Sequence, residues 1–143
     1  MNKFKIALGS DHAGFELKEK IKAKLEEWLY EVQDMGTYDK TSVDYPIIAK
    51  GIAAKVADGD VARGIIICGS GIGVAIAANK VPGARAANCH DIYCAKMSRK
   101  HNDANILTMG GRIIGEDMAY EIAQTWLETD FEGGRHQRRV DMI

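Results

Sequence analysis

Paired cysteines, a surplus of charge and long apolar runs are all missing from this sequence of 143 residues. Its three cysteines, Cys68, Cys89 and Cys94, form no even set of paired short spacings, which argues against a disulfide framework. A reducing cytoplasm is the simplest compartment for such a chain. Nineteen basic residues against twenty acidic ones leave a formal net charge of −1, so no bulk field recruits nucleic acid or a membrane. No stretch approaches the length of a transmembrane helix, and the apolar run near the N-terminus is too short for a signal peptide. Linkers, internal repeats and low-complexity tracts are absent too. A hydrophobic content of 46% and a charged content of 27% fit a globular protein. The expectation is one domain over 1–143, with a basic C-terminal segment at 133–143.

What the sequence does contain is a repeated alternation of strand-like and helical patterns. Lys5–Gly9 is a short apolar strand, and Leu17, Ile21, Leu25 and Leu29 then recur at helical spacing. Tyr30–Met35 predicts a second strand, followed by a polar loop over Thr37–Asp44. Pro46 suits a helix N1 position, and Ile48, Ile52 and Val56 mark that helix's buried stripe. Ile65-Ile-Ile67 is a buried strand that leads into an apolar helix. Ala84–Cys89 and Asn105–Met109 predict two further strands, the first followed by a weak helical pattern at Asp91–Arg99. Ala119, Ile122, Ala123, Trp126 and Leu127 give the clearest amphipathic helix. Such alternation implies a parallel sheet covered on both faces, a doubly wound α/β sandwich. Ligands then bind outside the carboxyl ends of the strands.

The most informative segment is Cys68-Gly-Ser-Gly-Ile-Gly73, between the third strand and its helix. Bare N–H groups at a helix start attract anions and lower the pKa of a nearby thiol. Cys68 therefore reads as a reactive sulfur, and Cys89 and Cys94 as packing residues. A Walker loop is excluded, because Gly14 is followed by Phe15 and Glu16. A dinucleotide fingerprint fits imperfectly, with Val74 at its last position, yet Asp91 lies at a ribose-contact distance, so this reading stays open. A cysteine-phosphatase loop wants a closing arginine that is not there. His12 and His101 fall beside loops taken to share one sheet edge. No Cys-x-x-Cys or His-x-x-x-His spacing suggests a metal. In the tail, Arg135 and Arg139 would share a helix face, and paired guanidiniums suit phosphate oxygens.

Five segments together resemble the ribose-5-phosphate isomerase B family and its allose- and galactose-6-phosphate isomerase relatives. They are Gly9-Ser-Asp-His-Ala-Gly14, Val43-Asp-Tyr-Pro46, Cys68-Gly-Ser-Gly-Ile-Gly73 with Ala77-Ala-Asn-Lys80, Ser98-Arg-Lys-His-Asn-Asp103, and Gly133-Gly-Arg-His-Gln-Arg-Arg-Val140. They span nearly the whole chain in order. The resemblance implies a three-layer Rossmann-like sandwich with a five-stranded parallel sheet. It implies an aldose–ketose isomerase that needs no metal or nucleotide cofactor. It also implies a homodimer, or a tetramer built from one, whose sites draw on both subunits. By the same resemblance, Cys68 is the base between C1 and C2, with Ser70 beside it, and His101 opens the sugar ring. Asp11 holds sugar hydroxyls or relays a proton, and Tyr45 lines the pocket. Asn102 and the amides of Gly69, Gly71 and Gly73 hold the enediolate. His12, Arg112, Arg135 and Arg139 bind the phosphate. One family branch replaces the cysteine by a glutamate in the following helix; this helix has no acid, so the chain resembles the cysteine branch. The expected substrates are ribose 5-phosphate and ribulose 5-phosphate. A hexose 6-phosphate is the alternative, and a non-catalytic nucleotide or sugar-phosphate binding module is the rival of another class.

Overall fold

Three isoleucines branched at Cβ, Ile65 to Ile67, are wholly excluded from water, and such a run is stable only as a strand covered on both faces. Each contributes about 1.5–3 kcal/mol through burial. The computed structural model describes residues 3–143. Its elements alternate as β1 (Lys5–Ser10), α1 (Phe15–Glu27), β2 (Glu31–Asp34), α2 (Tyr45–Ala57), β3 (Arg63–Cys68) and α3 (Ile72–Asn79). They continue as β4 (Ala86–Asn88), α4 (Ile92–Lys100), β5 (Ile106–Gly110), α5 (Glu116–Glu128) and α6 (Arg135–Val140). The five strands form one sheet in the order β2-β1-β3-β5-β4, every pairing parallel. This is the α/β three-layer architecture expected from the alternation.

Side chains alternate along each strand, so two cores form on opposite faces. Ile6, Leu8, Ile65, Ile67, Leu107 and Met109 pack under α1 and α5, whose buried stripes are Leu17, Ile21, Leu25 and Ala119, Ile122, Ala123, Trp126. Ala7, Ile66, Cys68 and Ile106 pack under α2 and α3. Two details depart from the sequence pattern. Leu29 does not extend the α1 stripe: the helix has ended, Leu29 takes a φ of +72°, and its side chain is exposed. The fourth strand is shorter than Ala84–Cys89, because only Ala86–Asn88 finds a partner, on β5, at the sheet's edge.

Candidate active site

The parity of β3 decides where the sulfur points. Ile65 and Ile67 join one core, so Cys68 turns to the other, toward α3, at the carboxyl end of its strand. The chain then turns through Gly69, Ser70 and Gly71 into α3. Gly71 sits at φ +79°, and a Cβ there would stand 2.3 Å from Asn88 Oδ1, so the turn excludes a side chain. That turn aims the Gly71 N–H at Cys68 Sγ, 3.1 Å away, a donor placed to stabilise negative charge on sulfur. The Ile72 N–H donates to Ser70 Oγ at 3.2 Å. Behind the loop, the buried Thr108 hydroxyl donates to the Gly71 carbonyl at 2.9 Å, and the Asn88 amide to the Ser70 carbonyl at 3.4 Å. The loop's carbonyls are thus tied back to β4 and β5.

A cleft of about 650 Å³ opens in front of this loop, lined by Asp11, His12, Tyr45, Cys68, Ser70 and Arg112 among others. Asp11 Oδ1 accepts the Gly14 N–H at 3.0 Å, which fixes one carboxylate oxygen. His12 Nδ1 accepts the Val43 N–H at 3.2 Å, so the neutral ring carries its proton on Nε2. Tyr45, the first residue of α2, lies against Gly73, where a Cβ would meet its ring at 2.6 Å. Arg112 lies against Gly69, its Nη1 3.4 Å from where a Cβ would stand. His90, also at the carboxyl edge, accepts the Gly110 N–H on Nε2 at 2.9 Å, and burial holds its pKa below the usual histidine range. The cleft therefore joins a thiol, a carboxylate, an imidazole and a guanidinium around a backbone anion loop. Such a set can move a proton next to a carbonyl and hold a phosphorylated substrate.

Four other expected site residues lie elsewhere in the chain. His101 and Asn102 follow α4 and precede β5, and in a parallel sheet the start of a strand lies at the edge opposite its end. The five residues of β5 alone span about 16 Å. The expectation that His12 and His101 share one edge is thus corrected: His12 lies at the carboxyl edge and His101 at the amino edge. Asn102 lines a separate cavity of about 360 Å³ beside β4, with Asn79, Arg85 and Ile143. Arg135 and Arg139 lie four residues apart on α6, on one helix face as the tail's spacing predicts, and both are exposed.

Around His101 the structure adds two groups the sequence did not single out. The His136 ring stacks on His101 with centroids 4.2 Å apart and planes 12° from parallel. Glu132 Oε1 lies 3.8 Å from His101 Nε2 and 3.6 Å from His136 Nε2. The spacing of Glu132 and His136, i to i+4, was the available signal, hidden because the helix begins between them. The three donor atoms lie within 4.8 Å of one another, a distance a metal ion could bridge. Two stacked, nearly parallel rings do not aim lone pairs at one point, so this geometry suits charge contacts better than ligation. Cys94 also differs from expectation: Cys89 is buried, but Cys94 is exposed on the first turn of α4, where its N–H caps onto Asp91 Oδ1. Ile72 and Ile76 of the apolar helix are exposed too, and with Ile113 they form an uncovered rim on the cleft.

Comparison with known proteins places this geometry in context. The model of the Ribose/Galactose Isomerase family matches residues 6–143. Ribose-5-phosphate isomerase B of Escherichia coli (strain K12) is 50% identical over 139 residues, covering 97% of this chain and 93% of that protein. The structure of Clostridium thermocellum ribose-5-phosphate isomerase B superposes with a TM-score of 0.95 at 53% identity, covering 96% and 93% of the two chains. Ribose-5-phosphate isomerase B of Mycoplasma genitalium, solved with bound ribulose-5-phosphate, matches with a TM-score of 0.94 at 40% identity, covering 99% and 95%.

Proposed function

The chain belongs to the Ribose/Galactose Isomerase family, and from that premise we propose that it interconverts ribose 5-phosphate and ribulose 5-phosphate. The observation that carries this reading is the Cys68 sulfur, held under the Gly71 N–H in a cleft that also contains Asp11, His12 and Arg112. Isomerisation takes a proton from the carbon next to a carbonyl and returns it to the neighbouring carbon. Cys68 is the base that carries it. The amides of Gly69, Gly71 and Gly73, with Ser70 beside them, face the negative charge that develops on the enediolate oxygens. Tyr45 bounds the sugar, Asp11 holds its hydroxyls, and His12 and Arg112 take the phosphate.

The site is completed by a second copy of the chain. His101, Asn102, Arg135 and Arg139 cannot reach their own cleft from the opposite sheet edge. A partner docked on the uncovered rim of Ile72, Ile76 and Ile113 brings its own amino-edge groups to that cleft. The assembly is thus a homodimer at least, with His101 opening the ring and Asn102 holding the enediolate.

Turnover of ribose, allose and galactose phosphates, followed as ketose formation without added metal, tests the reading. Highest kcat/KM on ribose 5-phosphate is expected; a preference for a six-carbon substrate selects the hexose alternative. In C68A, kcat falls by about 10²–10⁴-fold. Near-normal turnover in that variant rejects the sulfur as base, and ligand binding without turnover in the wild type favours the non-catalytic module.

A further inference from the structure

We propose that Glu132 and His136 are positioning residues that hold His101 in the orientation needed for ring opening, an inference that rests on the isomerase reading above. His101 follows the last turn of α4 with its side chain 41% exposed. The ring is fixed from outside. The His136 side chain is only 9% exposed and offers a flat face 4.2 Å away. The segment that carries both added groups is strapped to α4 twice: the Glu132 N–H donates to the Lys100 carbonyl at 3.1 Å, and Arg99 Nε donates to the Thr129 carbonyl at 3.2 Å.

Two oddities of the cluster find their reason here. His136 Nε2 is buried without a hydrogen-bond partner, a costly state that calls for an explanation. Glu132 is the carboxylate in a neighbourhood of basic groups, with Lys100 Nζ at 3.6 Å and Arg135 and Arg139 on the adjoining helix. Burial, with the charges of His101 and Arg135, holds the His136 pKa below the usual histidine range, so its ring stays uncharged at neutral pH and stacks without repelling a protonated neighbour. Glu132 supplies the countercharge when His101 carries a proton.

The step served is a balanced one. In the furanose form of ribose 5-phosphate, O4 closes the ring on C1. The O1 hydroxyl loses its proton to Asp11, its electron pair becomes the C1=O1 bond, the C1–O4 bond breaks, and O4 takes a proton from His101. Misplacing the imidazole by a fraction of an ångström slows this step and no other.

Ribulose 5-phosphate provides the control, because the oxygen on C5 that would close its ring carries the phosphate. Exchange of its C1 hydrogen with solvent deuterium needs enediolate formation but no ring opening. In E132Q, kcat on ribose 5-phosphate falls about 10- to 100-fold, while the exchange rate changes by less than about twofold. H136A shifts the same ratio, and H136F, which keeps a flat ring for stacking, restores most of it. Equal losses in both measurements, or no change in either for E132Q, overturn the proposal. A wild-type protein that neither exchanges nor converts overturns the isomerase premise instead, a result distinct from both.

Discussion

The two edges of the sheet carry different kinds of chemistry and are built in different ways. The carboxyl edge is a preformed cleft. Glycines at 71 and 73 let a loop approach Asn88 and Tyr45 closely, and buried Thr108 ties that loop to β5. At the amino edge the cavity beside Asn102 is smaller, about 360 Å³, and His101 does not line it. The candidate groups of this edge stand on a helix end and on the six-residue α6: His101 is half-exposed and stacked on His136, and Arg135 and Arg139 are exposed. One edge has the thiol and the anion loop; the other has an imidazole and two exposed guanidiniums. A strand's length separates the two sets of groups. A parallel sheet sets this separation: residues just after β1 and β3 and residues just before β5 lie at opposite edges of the sheet. Under the proposed self-association, with the exposed isoleucine rim as its apolar surface, the two edges would be joined across copies.

The largest effect that bears on this contrast is rescue by mixing. C68A and H101A, prepared separately, are each nearly inactive. Dissociated together and reassociated, half of the pairs are mixed, and each mixed pair holds one cleft with both groups intact. Activity then returns to about a quarter of the wild-type level. If Cys68 and His101 of the same copy cooperate, mixing restores nothing, and the division between edges is broken as a description of the site.

The carboxyl edge was legible in the sequence, and the amino edge was not, for a physical reason. The strand–helix alternation, glycine spacing and the buried isoleucine run are local signals, and they brought Cys68, its loop, Asp11 and His12 together at the strands' carboxyl ends. The assignment of His101 to that same place failed because closeness to a strand in sequence does not say which end of the strand is meant. Glu132 and His136 escaped because their partner, His101, is more than thirty residues away, and only the path of α5 brings them together. Leu29, Ile72 and Ile76 mislead in a related way. Their helical spacing is real, but burial depends on what covers a face, and the faces of Ile72 and Ile76 are left for something other than this chain's own core.

A second prediction separates the edges by their support. The loop between β2 and α2, which donates Val43 N–H to His12, is anchored by Lys18, fully buried on α1. Its ammonium contacts Asp34 at 2.8 and 2.9 Å and the Thr37 carbonyl at 2.6 Å. D34N removes the nearer of that ammonium's two carboxylates, with Glu19 Oε2 still at 3.4 Å, and lowers the unfolding free energy by about 1–3 kcal/mol at neutral pH. Burial alone would raise the Asp34 pKa, but hydrogen bonds from Lys18 and the Gly36 N–H bring it below the carboxylate value of 3.8. A lowered folded pKa stabilises the fold above the unfolded value, and that stability fades as pH drops through the lowered one. Denaturant melts of D34N and wild type therefore differ most near neutrality and converge in acid below about pH 4. In D34N that stays folded, KM rises through His12, and the stacking of His101 on His136 is untouched. Equal disturbance of both edges would show that they share their support.

The smallest effect concerns the amino edge alone. Arg139 stands exposed on α6 and contributes little to the fold, so R139A leaves the melting temperature near that of the wild type. Its charge-assisted hydrogen bonds to phosphate contribute about 1.5–3 kcal/mol, which places the rise in KM for ribose 5-phosphate at about 10- to 100-fold. The loss is confined to the charged end of the substrate, so kcat/KM for unphosphorylated ribose, slow as it is, does not change in parallel. Added salt narrows the gap between variant and wild type, because it screens an exposed cation facing a dianion. A KM unmoved by R139A takes the guanidinium out of the phosphate site. The amino edge would then contribute only its imidazole, and Arg112 and His12 of the cleft would hold the phosphate without help from the other copy.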